Sequence, residues 1–238
     1  MPSALKRFRS WFRSETLESY ESPLSGTLEV SLLCGKPVLN SDTSNYSFGS
    51  LHKVMQRVLK DEALKVIELE PALILGLGAG SLMHIFRKEW QWDVPVTGVE
   101  IDPIVLQAGR KYFELDKYEN LDIVQSDALD YVRQCDREYG LIIVDVYVGS
   151  EVPAALQEEA FIRQLARITS RPGMVLFNRM VSDKEGAHAT ARLLSWMEQH
   201  FDVARMRRIK GRWSNHIIIG EFVKNDKTVF GQFPDGKR

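Results

Sequence analysis

Long apolar runs are absent from this chain, cysteine is scarce, and charge of neither sign prevails. No stretch approaches the roughly 20 apolar residues of a membrane-spanning helix, and the first residues lack the apolar core of a secretory signal. A cytoplasmic location with no membrane partner is therefore expected. The 2 cysteines, Cys34 and Cys135, form no CxxC pair, which points to a reducing compartment rather than a disulfide scaffold. Lys+Arg number 31 against 32 Asp+Glu, a formal net charge of -1, so no overall field draws the protein to nucleic acid. The 5 histidines, His52, His84, His188, His200 and His216, have no partners at metal-ligand spacing, and no Ser/His/Asp arrangement is evident. They read as packing or surface residues, and no metal is expected.

What is present is a chain of 238 residues, 44% hydrophobic, enough for one main core and a small appendage. Residues 1–60 read as helix, β-hairpin and helix. In "ALKRFRSWFRSETLESY", Leu5, Phe8, Trp11 and Phe12 recur at helical spacing with Lys6, Arg7, Arg9 and Arg13 between them. This is a basic amphipathic helix expected to pack its aromatics on the body or on a partner subunit. "TLEVSLLCGKPVLNS" alternates Leu28, Val30 and Leu32, turns at Gly35 and continues as a second short strand. "SNYSFGSLHKVMQRVLK" returns to helical spacing through Leu51, Val54, Met55 and Val58, with Ser50 as its cap.

Residues 61–238 alternate strand and helix. Strand-like runs begin at Ala72, Val94, Leu121, Leu141 and Met174, each followed by an amphipathic stretch, the last covering 184–200. That order predicts an α/β fold whose sheet is mostly parallel, with helices on both faces. "VARMRRIKGRWSNHIIIGEF" has no helix between its two strands, so the sheet should end in an antiparallel hairpin turning at Gly211. Its basic residues are expected to be solvated rather than to bind nucleic acid. Trp90, Trp92, Trp196 and Trp213 are expected in the packing.

The chemistry centres on "ALILGLGAGSLMHIF", which runs from an apolar strand through Gly76, Gly78 and Gly80 into a helix. Glycines at such a junction let the backbone bend sharply and leave no side chain between the peptide and a flat ligand. A tight structural turn would explain the same spacing. Three acids at the ends of later strands favour a ligand. Glu100 closes "VPVTGVEID", about twenty residues on, where a carboxylate can accept a ribose diol. Asp127 in "LDIVQSDALDYV" can accept an adenine N–H, and Asp145 ends the strand in "YGLIIVDVYVGSEVP". A dinucleotide fingerprint wants a third glycine where Ser81 stands, so an S-adenosyl nucleoside suits the turn better.

Together "LILGLGAGS", "GVEIDP", "VQSDALDYV" and "IIVDVYVGSEVP", with the upstream hairpin and "NYSFGSLHKVMQ", resemble the spermidine synthase superfamily. That superfamily is a branch of the class I S-adenosylmethionine-dependent methyltransferase fold, which is Rossmann-like. The resemblance implies that Gly76, Gly78, Ala79, Gly80, Glu100, Ile101, Asp127 and Ala128 line the nucleoside. It implies Asp145 as general base, with Tyr147 beside it as a second catalytic candidate. Tyr46, Asp145 and Tyr147 would face a small-molecule acceptor, an amine among the candidates. A homodimer is also implied.

Two departures bear on the reaction. Spermidine synthases carry an aspartate in the glycine turn for the donor's aminopropyl ammonium, where this chain has Ala79. They carry a second acid after the fourth strand, where Val146, Tyr147 and Val148 follow Asp145 here. Each lost charge-assisted hydrogen bond is worth about 1.5–3 kcal/mol. Methyl transfer from S-adenosylmethionine is therefore favoured over aminopropyl transfer from its decarboxylated form. In that reading the N–H groups of Gly80 and Ser81 receive the donor's carboxylate. Aminopropyl transfer stays open if Asp42 or Glu151 replaces the missing acids, and a non-catalytic nucleoside-binding protein is the third reading.

Overall fold

The computed structural model describes residues 4–41, 45–48, 50–66, 68–149, 151–210 and 214–224. Two sheets organise them. Four antiparallel strands, β1 (Glu15–Ser22), β2 (Gly26–Leu33), β3 (Lys36–Ser41) and β4 (Asn45–Ser47), lie in the order β1-β2-β3-β4. After α2 (Ser50–Val66), a seven-stranded sheet is built from β5 (Ala72–Leu75), β6 (Val96–Glu100), β7 (Leu121–Gln125), β8 (Tyr139–Val144), β9 (Thr169–Val181), β10 (Val203–Lys210) and β11 (Ser214–Phe222). Its order is β10-β11-β9-β8-β5-β6-β7; β5 to β9 are parallel, and β10 and β11 are antiparallel additions.

The central strands are apolar on both faces because helices cover both. Every residue of β5 and of β8 is buried, the run expected of parallel strands between two helical layers. On one face Ile74, Ile143, Leu176 and Ile217 pack against Val54, Met55 and Val58 of α2 and Leu82 and Met83 of α3 (Ser81–His84). On the other, Leu73, Leu75, Ile142 and Phe177 meet α5 (Ala128–Gln134), α6 (Glu159–Arg167) and α7 (Lys184–His200) through Val132, Phe161 and Leu193. α4 (Pro103–Tyr112) joins the two sheets: Val105 and Ala108 pack against Leu28, Val30 and Leu39, with Ala79 in the same cluster.

Three polar clamps strengthen this junction. Lys111 and Tyr112 donate to Glu18, at 2.7 Å each to the same oxygen, holding Glu18 down near pKa 2. Ser22 and Ser25 both donate to Asp102, which also caps α4 through the Ile104 N–H. Ser47 Oγ accepts the Ala79 N–H at 2.9 Å, and the Phe48 N–H donates to Ser81 Oγ at 2.7 Å.

The N-terminal segment departs from the expectation of one amphipathic helix. Only Ala4–Arg9 is helical (α1), and "ETLESYES" is strand β1, whose charged residues alternate because β1 is the edge of its sheet. Leu5, Phe8, Trp11 and Phe12 are 66%, 65%, 66% and 79% exposed, so of the two expected packings, on the body or on a partner subunit, the first is confined to Trp11 beside the turn at Gly35. The appended hairpin is a four-stranded sheet, and α2 runs across residue 60. At the other end the sheet does finish in an antiparallel hairpin, its turn at Gly211 and Trp213 outside the described residues. The basic strand β10 is not simply solvated. Arg205 pairs with Glu62 and Glu221, and Arg207 with Asp61 and Glu62, joining it to α2.

Candidate functional site

The loops after β5, β6, β7 and β8 share one edge of the sheet. Chain order reverses between β5 and β8, since β6 and β7 build outward on one side of β5 and β8 and β9 on the other. Open α/β sheets bind ligands in the crevice such a reversal leaves. Gly76 and Asp145 flank it. A Cβ on Gly76 would sit 2.3 Å from the Asp145 carbonyl oxygen, and Gly76 holds φ +85°, where side-chain-bearing residues are strained. Both the Gly76 and Leu77 N–H groups donate to Val99 O at 2.9 Å, which fixes the bend against β6.

Glu100 supports the same bend. Its carboxylate accepts the Gly78 N–H and the Asp102 N–H, at 2.9 and 3.0 Å, and it is 7% exposed. Burial pushes its carboxyl up, opposed by those backbone donors. The Ile101 N–H also favours its charged form, and a carboxylate is the acceptor-only group that a ribose diol requires. Beside it the Ile101 side chain is 42% exposed, an apolar surface at the strand end for a nucleobase to cover. Asp127 caps α5, accepting the Leu129 and Asp130 N–H groups on Oδ1 at 2.7 and 3.1 Å. One carboxylate oxygen thus serves as a helix cap, and the residue is exposed. Ala128 is buried, next to Asp127 at the start of α5.

Asp145 occupies the other bank of the crevice, half-buried, with Asn178 Nδ2 donating to its Oδ1 at 2.9 Å. Desolvation raises its pKa to about 6 against that single donor. A carboxylate titrating there can accept a proton near neutral pH. Tyr147 packs its ring against the α5–α6–α7 core, and its hydroxyl accepts the Met180 N–H at 3.0 Å. Burial and the nearby Asp145 push the phenol well above its ordinary range, so it keeps its proton to donate.

Two expectations meet a different geometry. Ala79 contributes no side chain to a ligand: its methyl is fully buried against Leu28, Val30 and Phe113, because the smaller sheet closes over that side of the turn. The Gly80 N–H is not available to a carboxylate, since it turns inward to Leu77 O at 3.2 Å. α3 gives only one turn before passing into a π-helical stretch, Ile85–Glu89. Tyr46 has its backbone in β4, but its side chain, the Ser50 side chain and all of Asp42 lie outside the described residues. Glu151 is exposed, in a bridge with Val148.

Sequence reasoning missed Asn178 and Asn215. Asn178 is fully buried in β9, and its Oδ1 accepts Asn215 Nδ2 from β11 at 3.1 Å. The signal was available in "MVLFNRMV", where one amide interrupts an apolar strand. Two cavities lie away from this crevice, one of about 330 Å³ beside Pro95, Thr97, Asn120 and Arg137 at the other end of the strands, and one of about 350 Å³ beside Leu129, Phe161 and Gln164.

No family model matches the chain. Among curated proteins it is similar to a polyamine aminopropyltransferase of Neisseria meningitidis, 31% identical over 125 residues, 52% of this chain and 47% of that protein. It is also similar to an "eEF1A lysine and N-terminal methyltransferase homolog" of Drosophila melanogaster, 35% identical over 121 residues, 47% of this chain and 18% of that protein. The matches thus span about half the length of the aminopropyltransferase and less of the methyltransferase. Among solved structures, a probable spermidine synthase from Corynebacterium glutamicum aligns with TM-score 0.71 and 19% identity, over 86% of this chain and 79% of that one. Human methyltransferase-like protein 13, solved in complex with SAH, aligns with TM-score 0.61 and 23% identity, over 77% of this chain and 86% of that one. The curated matches agree with the motifs over about half of the chain, and the solved structures show a Rossmann-like fold.

Proposed function

We propose that this chain, built on the fold of the spermidine synthase superfamily, is a transferase acting from an S-adenosyl nucleoside, and that it moves a methyl group to a small acceptor. The observation that carries the choice of group is Ala79. In the place where spermidine synthases hold an aspartate stands a methyl sealed beneath the smaller sheet, leaving nothing anionic at that position for an aminopropyl ammonium. A relative described as a methyltransferase and a structural neighbour solved with SAH support the reading.

The residues present fit the donor. Gly76 offers a bend without a side chain, Glu100 a pair of acceptors for the ribose, Ile101 an apolar surface for the base, and Asp127 an acceptor for its amino group. When bound, the donor supplies an activated sulfonium carbon. The chain then has to hold the acceptor in line, exclude water and take up its proton. Asp145 is the base in this proposal, and Tyr147 orients the acceptor through its hydroxyl proton.

Aminopropyl transfer is the second reading, favoured by the 31% identity to polyamine aminopropyltransferase. Assays of methyl transfer from labelled S-adenosylmethionine and of aminopropyl transfer from its decarboxylated form, over one acceptor panel, decide between them. Methyl transfer alone supports the proposal; aminopropyl transfer alone replaces it with the second reading. Nucleoside binding without either transfer leaves a binding protein. A homodimer completes the proposal, with exposed Phe8, Trp11 and Phe12 as the surface it covers.

A further inference from the structure

The acid at the crevice is held by a chain of amides. Asn178 and Asn215 lie on adjacent antiparallel strands, Asn178 opposite Ile217 and Asn215 opposite Met180, so the two side chains are diagonal neighbours on one face. Asn215 Nδ2 donates to Asn178 Oδ1 at 3.1 Å, and Asn178 Nδ2 donates to Asp145 Oδ1 at 2.9 Å. The direction is set by chemistry. A carboxylate only accepts, so Asn178 must present its NH2 to Asp145 and its carbonyl oxygen to Asn215. Asn178 is 0% and Asn215 5% exposed, among Leu176, Ile217 and Ile219, where an unpaired amide would be costly. Neither residue is needed to complete the sheet, whose ladder is backbone.

We propose that Asn178, oriented by Asn215, is a positioning residue for Asp145: it fixes the carboxylate by Oδ1 and leaves Oδ2 as the oxygen that faces an acceptor. The last clause rests on the transferase reading; the coupling of the two amides to the carboxyl does not. Few other groups act on Asp145. From its own segment it is faced by Tyr147, and Arg179 of β9 interacts with Tyr147 and with Gln157. His216 of β11 is influenced by Arg208 and Arg179. From β5 only backbone approaches, with the Asp145 N–H donating to Leu75 O at 2.8 Å. Asn178 thus supplies the hydrogen bond that favours the charged form of Asp145, and its loss must move the acid's titration upward.

The test is NMR titration of carboxyl-labelled aspartates in the full chain, with Asp145→Asn assigning the signal and Asp127 as internal control. Asn178→Leu should raise the Asp145 midpoint by about one pH unit, and Asn215→Leu by a smaller step in the same direction. Asn178→Asp preserves shape and places a second carboxyl beside the first, so the upper midpoint of the pair should rise further. An Asp145 midpoint unmoved in Asn178→Leu and Asn178→Asp overturns the proposal, even if both variants melt earlier. Shifted midpoints in a protein with no transferase activity would uphold the coupling and remove the transferase reading separately.

Discussion

Gly76 and Asp145 touch through their backbones across the gap between β5 and β8: the carbonyl oxygen of Asp145 occupies the space that a side chain on Gly76 would need, 2.3 Å from an ideal Cβ. The bend that would carry the nucleoside and the residue that would receive the proton are therefore one contact. Their separation is set by the sheet rather than by flexible loops.

Replacing Gly76 by alanine should therefore damage folding and binding together. The positive φ and the backbone clash together cost about 2–5 kcal/mol. Thermal melting should fall by ten degrees or more, and calorimetry should detect little SAH binding. A variant with wild-type melting and affinity would show that the bend relaxes freely.

Glu100→Ala and Asp127→Ala should each weaken SAH binding, by tenfold or more for Glu100, whose loss also frees the Gly78 and Asp102 N–H groups. Asp127→Ala removes a helix cap as well and should cost about 1 kcal/mol of stability. Unchanged affinity in both variants, measured by calorimetry, would move the nucleoside elsewhere.

Asp145→Asn should bind SAH as wild type does yet lose a hundredfold or more in turnover, the usual scale for removing a general base. Its amide can still accept from Asn178, so the fold is not expected to change. Full turnover would take Asp145 out of the mechanism.

The pH dependence follows from Asp145 titrating near pH 6 when folded, against an ordinary carboxyl value of 3.8. Activity should rise through pH 6 as the base ionises. Stability runs the other way. Between those values the folded chain binds more protons than the unfolded one, so this group's contribution declines as pH rises from about 4 through 6. At pH 8, Asp145→Asn should be more stable than wild type by about 1–2 kcal/mol, and at pH 4 the difference should vanish. Equal denaturation midpoints at both pH values would contradict the raised titration.

Light scattering tests the dimer. Trp11→Ser with Phe12→Ser should convert it to monomer without changing the circular dichroism of the main sheet. A wild-type chain that is already monomeric would discard that part of the proposal.

The elements carrying this arrangement were legible to different degrees. β5 and β8 announce themselves because strands covered on both faces read as unbroken apolar runs, and the glycine spacing between β5 and α3 is local. β1 was hidden, since an edge strand with one wet face carries charges, and "SETLESY" continued the helical spacing before it. Asn178 interrupts an apolar run, but nothing in that run names the partner, 37 residues away, that lets a single amide be buried. The inward turn of the Gly80 N–H and the covering of Ala79 were equally unreadable. The first is a bond within the bend, from Gly80 to Leu77, which glycine spacing does not specify; the second is set by how the smaller sheet docks, a relation between distant segments that spacing along the chain does not encode.

That docking has a consequence for any attempt to trim the protein. Ser47 supplies the acceptor for Ala79, and Ser22 and Ser25 supply donors to the aspartate that follows Glu100. A shortened version starting at α2 would strip partners from the loops after β5 and β6 at once. The smaller sheet is scaffolding for the pocket, and a truncated core is expected to be folded only in part and unable to grip its ligand.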